Sequence, residues 1–136
     1  MRWIPRVTTV MLLLVAVGAA AACGSSGPKT SVTVTPVPGG TAELTVTMGD
    51  FYFDPNAITV PAGQRLRLVL PNVGKMPHNW HLLSYKGPDG KEFQSAVIQG
   101  GQSSQIELVV STPGTYKFRC DVHPDVMTGT LIVTGS

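Results

Sequence analysis

Tyr116-Lys117-Phe118-Arg119-Cys120-Asp121-Val122-His123-Pro124-Asp125-Val126-Met127-Thr128-Gly129-Thr130-Leu131-Ile132-Val133 is the stretch on which the reading of this chain turns. Apolar and polar residues alternate up to Cys120, and a second alternating run begins after Met127. A period of two marks half-buried strands, so the stretch reads as strand, loop, strand. Tyr116, Phe118 and Cys120 fall on one face, which points Cys120 inward at the end of a core. The loop carries a thiol, an imidazole and a thioether within eight positions. Those are soft and borderline ligands that suit copper, whose blue sites take a trigonal His₂Cys set with a weak axial Met. Cys120, His123 and Met127 supply three of the four donors. The second imidazole must come from elsewhere, and the remaining histidines, His78 and His81, lie together in Met76-Pro77-His78-Asn79-Trp80-His81.

Pro77-His78-Asn79-Trp80-His81-Leu82 followed by the Cys120–Met127 loop resembles the cupredoxin family, the plastocyanin- and azurin-like blue copper proteins. That family places a His just before an Asn, about forty residues upstream of a Cys–His–Met loop. Here His78 precedes Cys120 by 42 positions. The resemblance runs from about Ala42 to Val133 and includes the run Phe51 to Leu70. It implies one copper ion held by His78, Cys120, His123 and Met127. His78 and Trp80 share a strand face with the core candidate Trp80 pointing in, so His81 and Asn79 are expected on the outer face. Asn79 resembles the family Asn that ties the two ligand segments together. Its usual partner is a Ser or Thr after the Cys. This chain has Asp121 there, so the tie is expected to differ or to depend on charge.

Upstream, Leu44 to Met48, Arg65 to Leu70, His78 to Ser84, Gln105 to Val110, Thr115 to Cys120 and Thr130 to Val133 read as strands. Phe51, Phe53, Ile58 and Val60 belong to further strand segments around the Asp54-Pro55-Asn56 turn. Phe93 to Gln99 fits either a short strand or an irregular crossing. No stretch has a convincing helical period. Seven to eight short strands with a turn every ten or so residues predict an all-β Greek-key sandwich over residues 42–136. Its core candidates are Leu44, Val46, Phe53, Ile58, Val60, Leu66, Leu68, Leu70, Trp80, Leu82, Ile106, Leu108, Tyr116, Phe118, Leu131 and Val133. At about 25 cal/mol per Å² of buried apolar area, such a core is expected to fold without metal.

The first 22 residues have the texture of an export signal: Arg2 and Arg6, an apolar run from Val10 to Ala22, and small residues before Cys23. Ala21-Ala22-Cys23-Gly24 resembles a bacterial lipobox, with Ala20 where the usual pattern has Leu. The resemblance implies lipidation of Cys23 and a membrane anchor on the outer face. Ordinary cleavage with a spare Cys, or an uncleaved anchor, are the other readings. Residues 23–41, rich in Ser, Thr, Pro, Val and Gly, read as a flexible tether. Val32-Thr33-Val34 is able to join a sheet edge, with Pro36 and Pro38 limiting its length.

The whole chain has 10 Lys and Arg against 8 Asp and Glu. Without Arg2 and Arg6 the count is balanced, and no basic patch interleaved with aromatics points to nucleic acid. A lipidated Cys23 leaves no partner for a disulfide to Cys120. The resemblance implies one-electron transfer by a monomeric carrier rather than an enzyme. Its partners would be redox proteins of a membrane electron-transfer chain, met through an apolar rim of Met76, Pro77, Pro124 and Val126. Copper scavenging or delivery uses the same ligands and is the alternative reading. A metal-free structural or adhesive sandwich is the third.

Overall fold

In the computed structural model the described residues are 27 and 29–135, and all their regular elements are strands. In chain order these are β1 (Ser31–Thr33), β2 (Thr41–Thr45), β3 (Thr47–Gly49), β4 (Tyr52–Asp54), β5 (Ala57–Pro61) and β6 (Arg65–Pro71). They continue with β7 (His81–Lys86), β8 (Glu92–Gln94), β9 (Ser103–Val109), β10 (Gly114–Arg119) and β11 (Thr128–Thr134). Residues 1–22, expected to be an export signal, and Cys23 lie outside the described residues.

Six strands form one sheet in the order β1-β5-β11-β10-β7-β8, and three form the opposing sheet, β2-β6-β9. β3 and β4 form a separate antiparallel ribbon. The all-β sandwich follows from the alternation. β6, Arg65–Pro71, buries Leu66, Leu68 and Leu70 and turns Arg65, Arg67 and Val69 outward. β11 does the same with Leu131 and Val133. Between the sheets, Phe53, Phe118 and Trp80 pile up with ring centroids 5.2 Å apart in both contacts. On the outer face of the small sheet, Arg67 bridges Glu107 at 2.6 Å and Glu43 at 3.8 Å.

The structure divides the chain more finely than seven or eight strands. The Leu44–Met48 run splits into β2 and β3 at Val46, whose N–H donates to Val69 O at 2.8 Å. Part of the stretch expected as a tether, residues 23–41, is built into the sheet. Ser31–Thr33 pairs in parallel with Ala57–Thr59, and Val34 is buried. The prolines act only after these residues, so they end the edge strand without preventing it. Val34, Ala42, Met48 and Val110 join the expected core, whereas Leu44, Ile106 and Tyr116 pack against it half-buried. The segment after Ser84 includes β8, then an isolated bridge between Ile98 and His78.

The strand expected over His78–Ser84 begins only at His81. His78 to Trp80 form a short extended lead-in, held by that single bridge. The departure from a regular ladder matters, because it lets His78, Asn79 and Trp80 all be buried in succession. Strict alternation forbids that, and Asn79 is therefore not on the outer face.

Candidate metal centre

β10 runs out at Arg119 and delivers Cys120 to the end of the core, fully buried below Phe118. The loop that follows is knotted by its own backbone. Cys120 N–H donates to Met127 O at 2.9 Å, and Met127 N–H donates to His123 O at 3.0 Å. His123 N–H reaches back to Cys120 O at 3.3 Å. These bonds hold Cys120, His123 and Met127 on one tight turn. Met127 has no exposed surface. The turn then hands over to β11, where Gly129 sits opposite Phe118. A Cβ at 129 would come within 2.2 Å of the Phe118 ring, so only glycine lets the strand pass there.

His78 comes from the other side. Its backbone exchanges two hydrogen bonds with Ile98, at 3.0 and 2.9 Å, which fix the residue outside any long ladder. Its Nδ1 lies 3.8 Å from Cys120 Sγ, and His123 Nδ1 lies 3.9 Å from the same sulfur. The three donor atoms all fall within 4.8 Å of one another. A metal about 2.3 Å from sulfur and about 2.0 Å from nitrogen, at tetrahedral to trigonal angles, sets S and N about 3.5–3.7 Å apart. The observed spacings of 3.8 and 3.9 Å are only slightly wider, so the cradle is preformed for one ion. Thiolate, two imidazoles and a loop methionine fit copper rather than a hard cation.

A second set of contacts positions the ligands. Asn79 Nδ2 donates to Asp121 Oδ2 at 3.0 Å, and Asp121 N–H donates to Asn79 Oδ1 at 2.8 Å. The expected tie between ligand segments is thus a reciprocal Asn–Asp pair. The Asp121 carboxylate also accepts Gln94 Nε2 at 2.9 Å and Arg119 Nε at 3.0 Å, and it faces His81 Nδ1 at 2.9 Å. Desolvation opposes its ionisation. The bonds from Asn79, His81 and Arg119 outweigh that and hold its pKa below the usual carboxylate value. His81 is not among the clustered donors, and its Nε2 faces Glu92 at 3.0 Å.

Asp50, on the β3–β4 turn, was not legible as part of the site. Its carboxylate accepts the N–H groups of Lys75 and Met76 at 2.9 and 3.0 Å and sits 3.3 Å from His78 Nε2. Those backbone bonds, with His78 adding to them, lower its pKa. Gly74 makes room, since a Cβ there would lie 2.3 Å from Asp50 Oδ1. Burial lowers the His78 pKa, and the Asp50 contact offsets only part of that, so the neutral, ligating ring is favoured. Phe51 was missed as well. Its φ of 69° turns the side chain out of the strand alternation and sets its ring edge-on to His123 at 5.0 Å. Among the rim residues, Met76, Pro124 and Val126 are exposed and Pro77 is half-buried.

A two-sheet shell with a mononuclear His₂Cys cradle and a methionine at one end defines a class: small β-sandwich proteins with a type 1 copper site. Comparison with known proteins agrees. The Cupredoxin-like domain model matches residues 9–133. Plastocyanin of Dryopteris crassirhizoma is 35% identical over 95 residues, which is 63% of this chain and 91% of that protein. The copper-resistant cuproprotein CopI of Pseudomonas aeruginosa is 49% identical over 39 residues, 29% of this chain but only 22% of that longer protein. Auracyanin A, a "blue" copper protein of Chloroflexus aurantiacus, superposes with a TM-score of 0.61 at 22% identity, over 70% of this chain and all of that one. The chain belongs to the cupredoxin-like family.

Proposed function

We propose that this domain carries single electrons outside the cytoplasm, held at the outer face of a membrane by lipid on Cys23. The observation that carries the reading is the pair of imidazole nitrogens 3.8 and 3.9 Å from the Cys120 sulfur. Copper, when bound, supplies a one-electron couple. The chain's part is to hold the donors in one geometry. Buried His78, Cys120 and Met127 exclude water, and the Asn79–Asp121 pair locks the two ligand segments together. A cage that does not rearrange is what rapid electron exchange needs. His123 is the half-buried ligand and the route to the surface, met edge-on by Phe51, with exposed Pro124 and Val126 on the same loop. Such a small apolar rim suits brief encounters with redox proteins. No feature of the site calls for a substrate to be transformed, so the domain is read as a carrier and not as an enzyme.

The test is a visible and EPR spectrum of the copper-loaded protein. An intense thiolate-to-copper band that vanishes in Cys120→Ser is the expected outcome. A colourless loaded protein would sink the reading.

The stretch shared with the copper-resistant cuproprotein favours a second reading, copper scavenging or delivery. Chelator extraction separates the two. A carrier keeps its copper and exchanges electrons with itself quickly, whereas a delivery protein yields copper readily and shows no measurable self-exchange.

A further inference from the structure

The chain joins the sandwich at the same end as the metal cradle. β1 runs parallel to β5, and β5 parallel to β11, with Ser31 level with Ala57 and Ala57 level with Thr130. β11 starts one residue after Met127. The N-terminal end of β1 is therefore at the cradle end of the sheet. Residues just before it are fastened there too. Thr30 O accepts the N–H groups of Asn56 and Ala57, both at 3.1 Å. Gly27 lies so close to Tyr52 that a Cβ would meet its side chain at 2.2 Å. Gly27 also lines one shallow cavity with Phe51 and Val126, both members of the apolar rim.

Only four residue steps separate Gly27 from Cys23. At 3.3–3.6 Å per residue they span at most about 14 Å, whatever path they take. We propose that the anchor holds the cradle end of the domain down beside the bilayer, so that the rim of Phe51, Met76, Pro124 and Val126 docks on a redox protein embedded in the same membrane. The inference rests on the anchoring reading above. A protein partner fits better than the lipid itself. Among the described residues the nearby charges are mixed, Lys29 and Lys75 against Asp50 and Asp125, with no cluster of basic residues of the kind that anionic headgroups recruit. A weak apolar patch suffices when a short linker keeps both proteins at high effective concentration. It would be a poor device for finding a partner free in solution.

The test uses the lipidated, copper-loaded chain in vesicles carrying ferrocene linked to lipid headgroups. Each ferrocene gives one electron to one Cu(II), leaving ferrocenium and Cu(I), with no bond made or broken. The comparison is a variant with twenty Gly and Ser residues inserted between Gly24 and Ser25. Lipid-held ferrocene is expected to reduce the parent about fifteenfold faster than the variant, from the −3/2 power of a roughly sixfold longer linker. A soluble ferrocene should reduce both at the same rate. Equal rates with the lipid-held donor would overturn the orientation while leaving the anchor intact. If the parent fails to float with vesicles at all, the anchor falls and this inference falls with it. The chain from residue 23 onward carrying Cys23→Ser, and so no lipid, should stay in solution beside plain vesicles. Binding there would mean that the rim takes lipid, and the protein-partner proposal would be overturned.

Discussion

At the residue scale the most informative contacts are those one step removed from the donors. Asn79 is fully buried and makes both of its bonds to Asp121, so Asn79→Ala leaves an N–H and a carboxylate short of partners. Stability should fall by about 1–3 kcal/mol, read by denaturant unfolding of the apo-protein. Copper retention should weaken with it, and an unchanged midpoint and unchanged retention would mean that the pair does not stiffen the site. Asp50 acts on the opposite ligand. A carboxylate near His78 Nε2 strengthens that ring as a donor and favours the oxidised metal. Asp50→Asn should raise the reduction potential, measured by voltammetry. No shift would reduce Asp50 to a fastener for the Lys75–Met76 backbone. The donors themselves were legible, because Cys120, His123 and Met127 are close in sequence and the histidine pair stands alone. Asp50 was not, since 28 positions and a turn separate it from His78 and no local pattern connects them. The same holds for Phe51, whose outward pose depends on a left-handed backbone that spacing does not reveal.

Strands show why part of the fold was easy to read and part was not. Regular alternation marked β6, β9, β10 and β11, and their ladders are the longest among the described residues. His78 to Trp80 defeated the same rule, because a single bridge replaces the ladder and permits consecutive burial. β1 was obscured by composition. Its three residues sit in a Ser-, Thr- and Pro-rich stretch, and only the paired edge of β5 gives them a place. Gly129 in β11 is a sharper case of tertiary control over a strand. With the Phe118 ring and Asn56 O both in the way of a Cβ, Gly129→Ala must push the strand or the aromatic pile. A loss of about 1–3 kcal/mol is expected from overpacking, visible as a lowered apo-protein Tm. Because Phe118 precedes Cys120 by two residues, the copper band should also shift in position or intensity.

Considered whole, the molecule is a closed shell in which three groups near the cradle, His78, Asp50 and Asp121, are held in their unprotonated forms. His78 is held below its ordinary value of 6.5, and Asp50 and Asp121 below 3.8. In each case the unfolded chain binds the proton more readily, so stability rises with pH across the window. For the apo-protein, the His78 contribution is complete above 6.5 and declines as pH falls beneath it. The two carboxylates add a second decline below 3.8. Urea midpoints of the apo-protein measured from pH 8 to pH 3 should fall monotonically; a maximum near pH 5 would contradict the assignments. Copper competes with the His78 proton, so the pH dependence should steepen between neutrality and about pH 5 once metal is bound, because only the unfolded chain then takes that proton up. The burial of Cys120 bears on the protein's life before it meets copper. Sulfur with no exposed surface is out of reach of peroxide, of small disulfides and of another molecule's thiol. The nucleophile therefore stays intact until metal arrives, and a thiol-labelling reagent should ignore it until urea opens the shell.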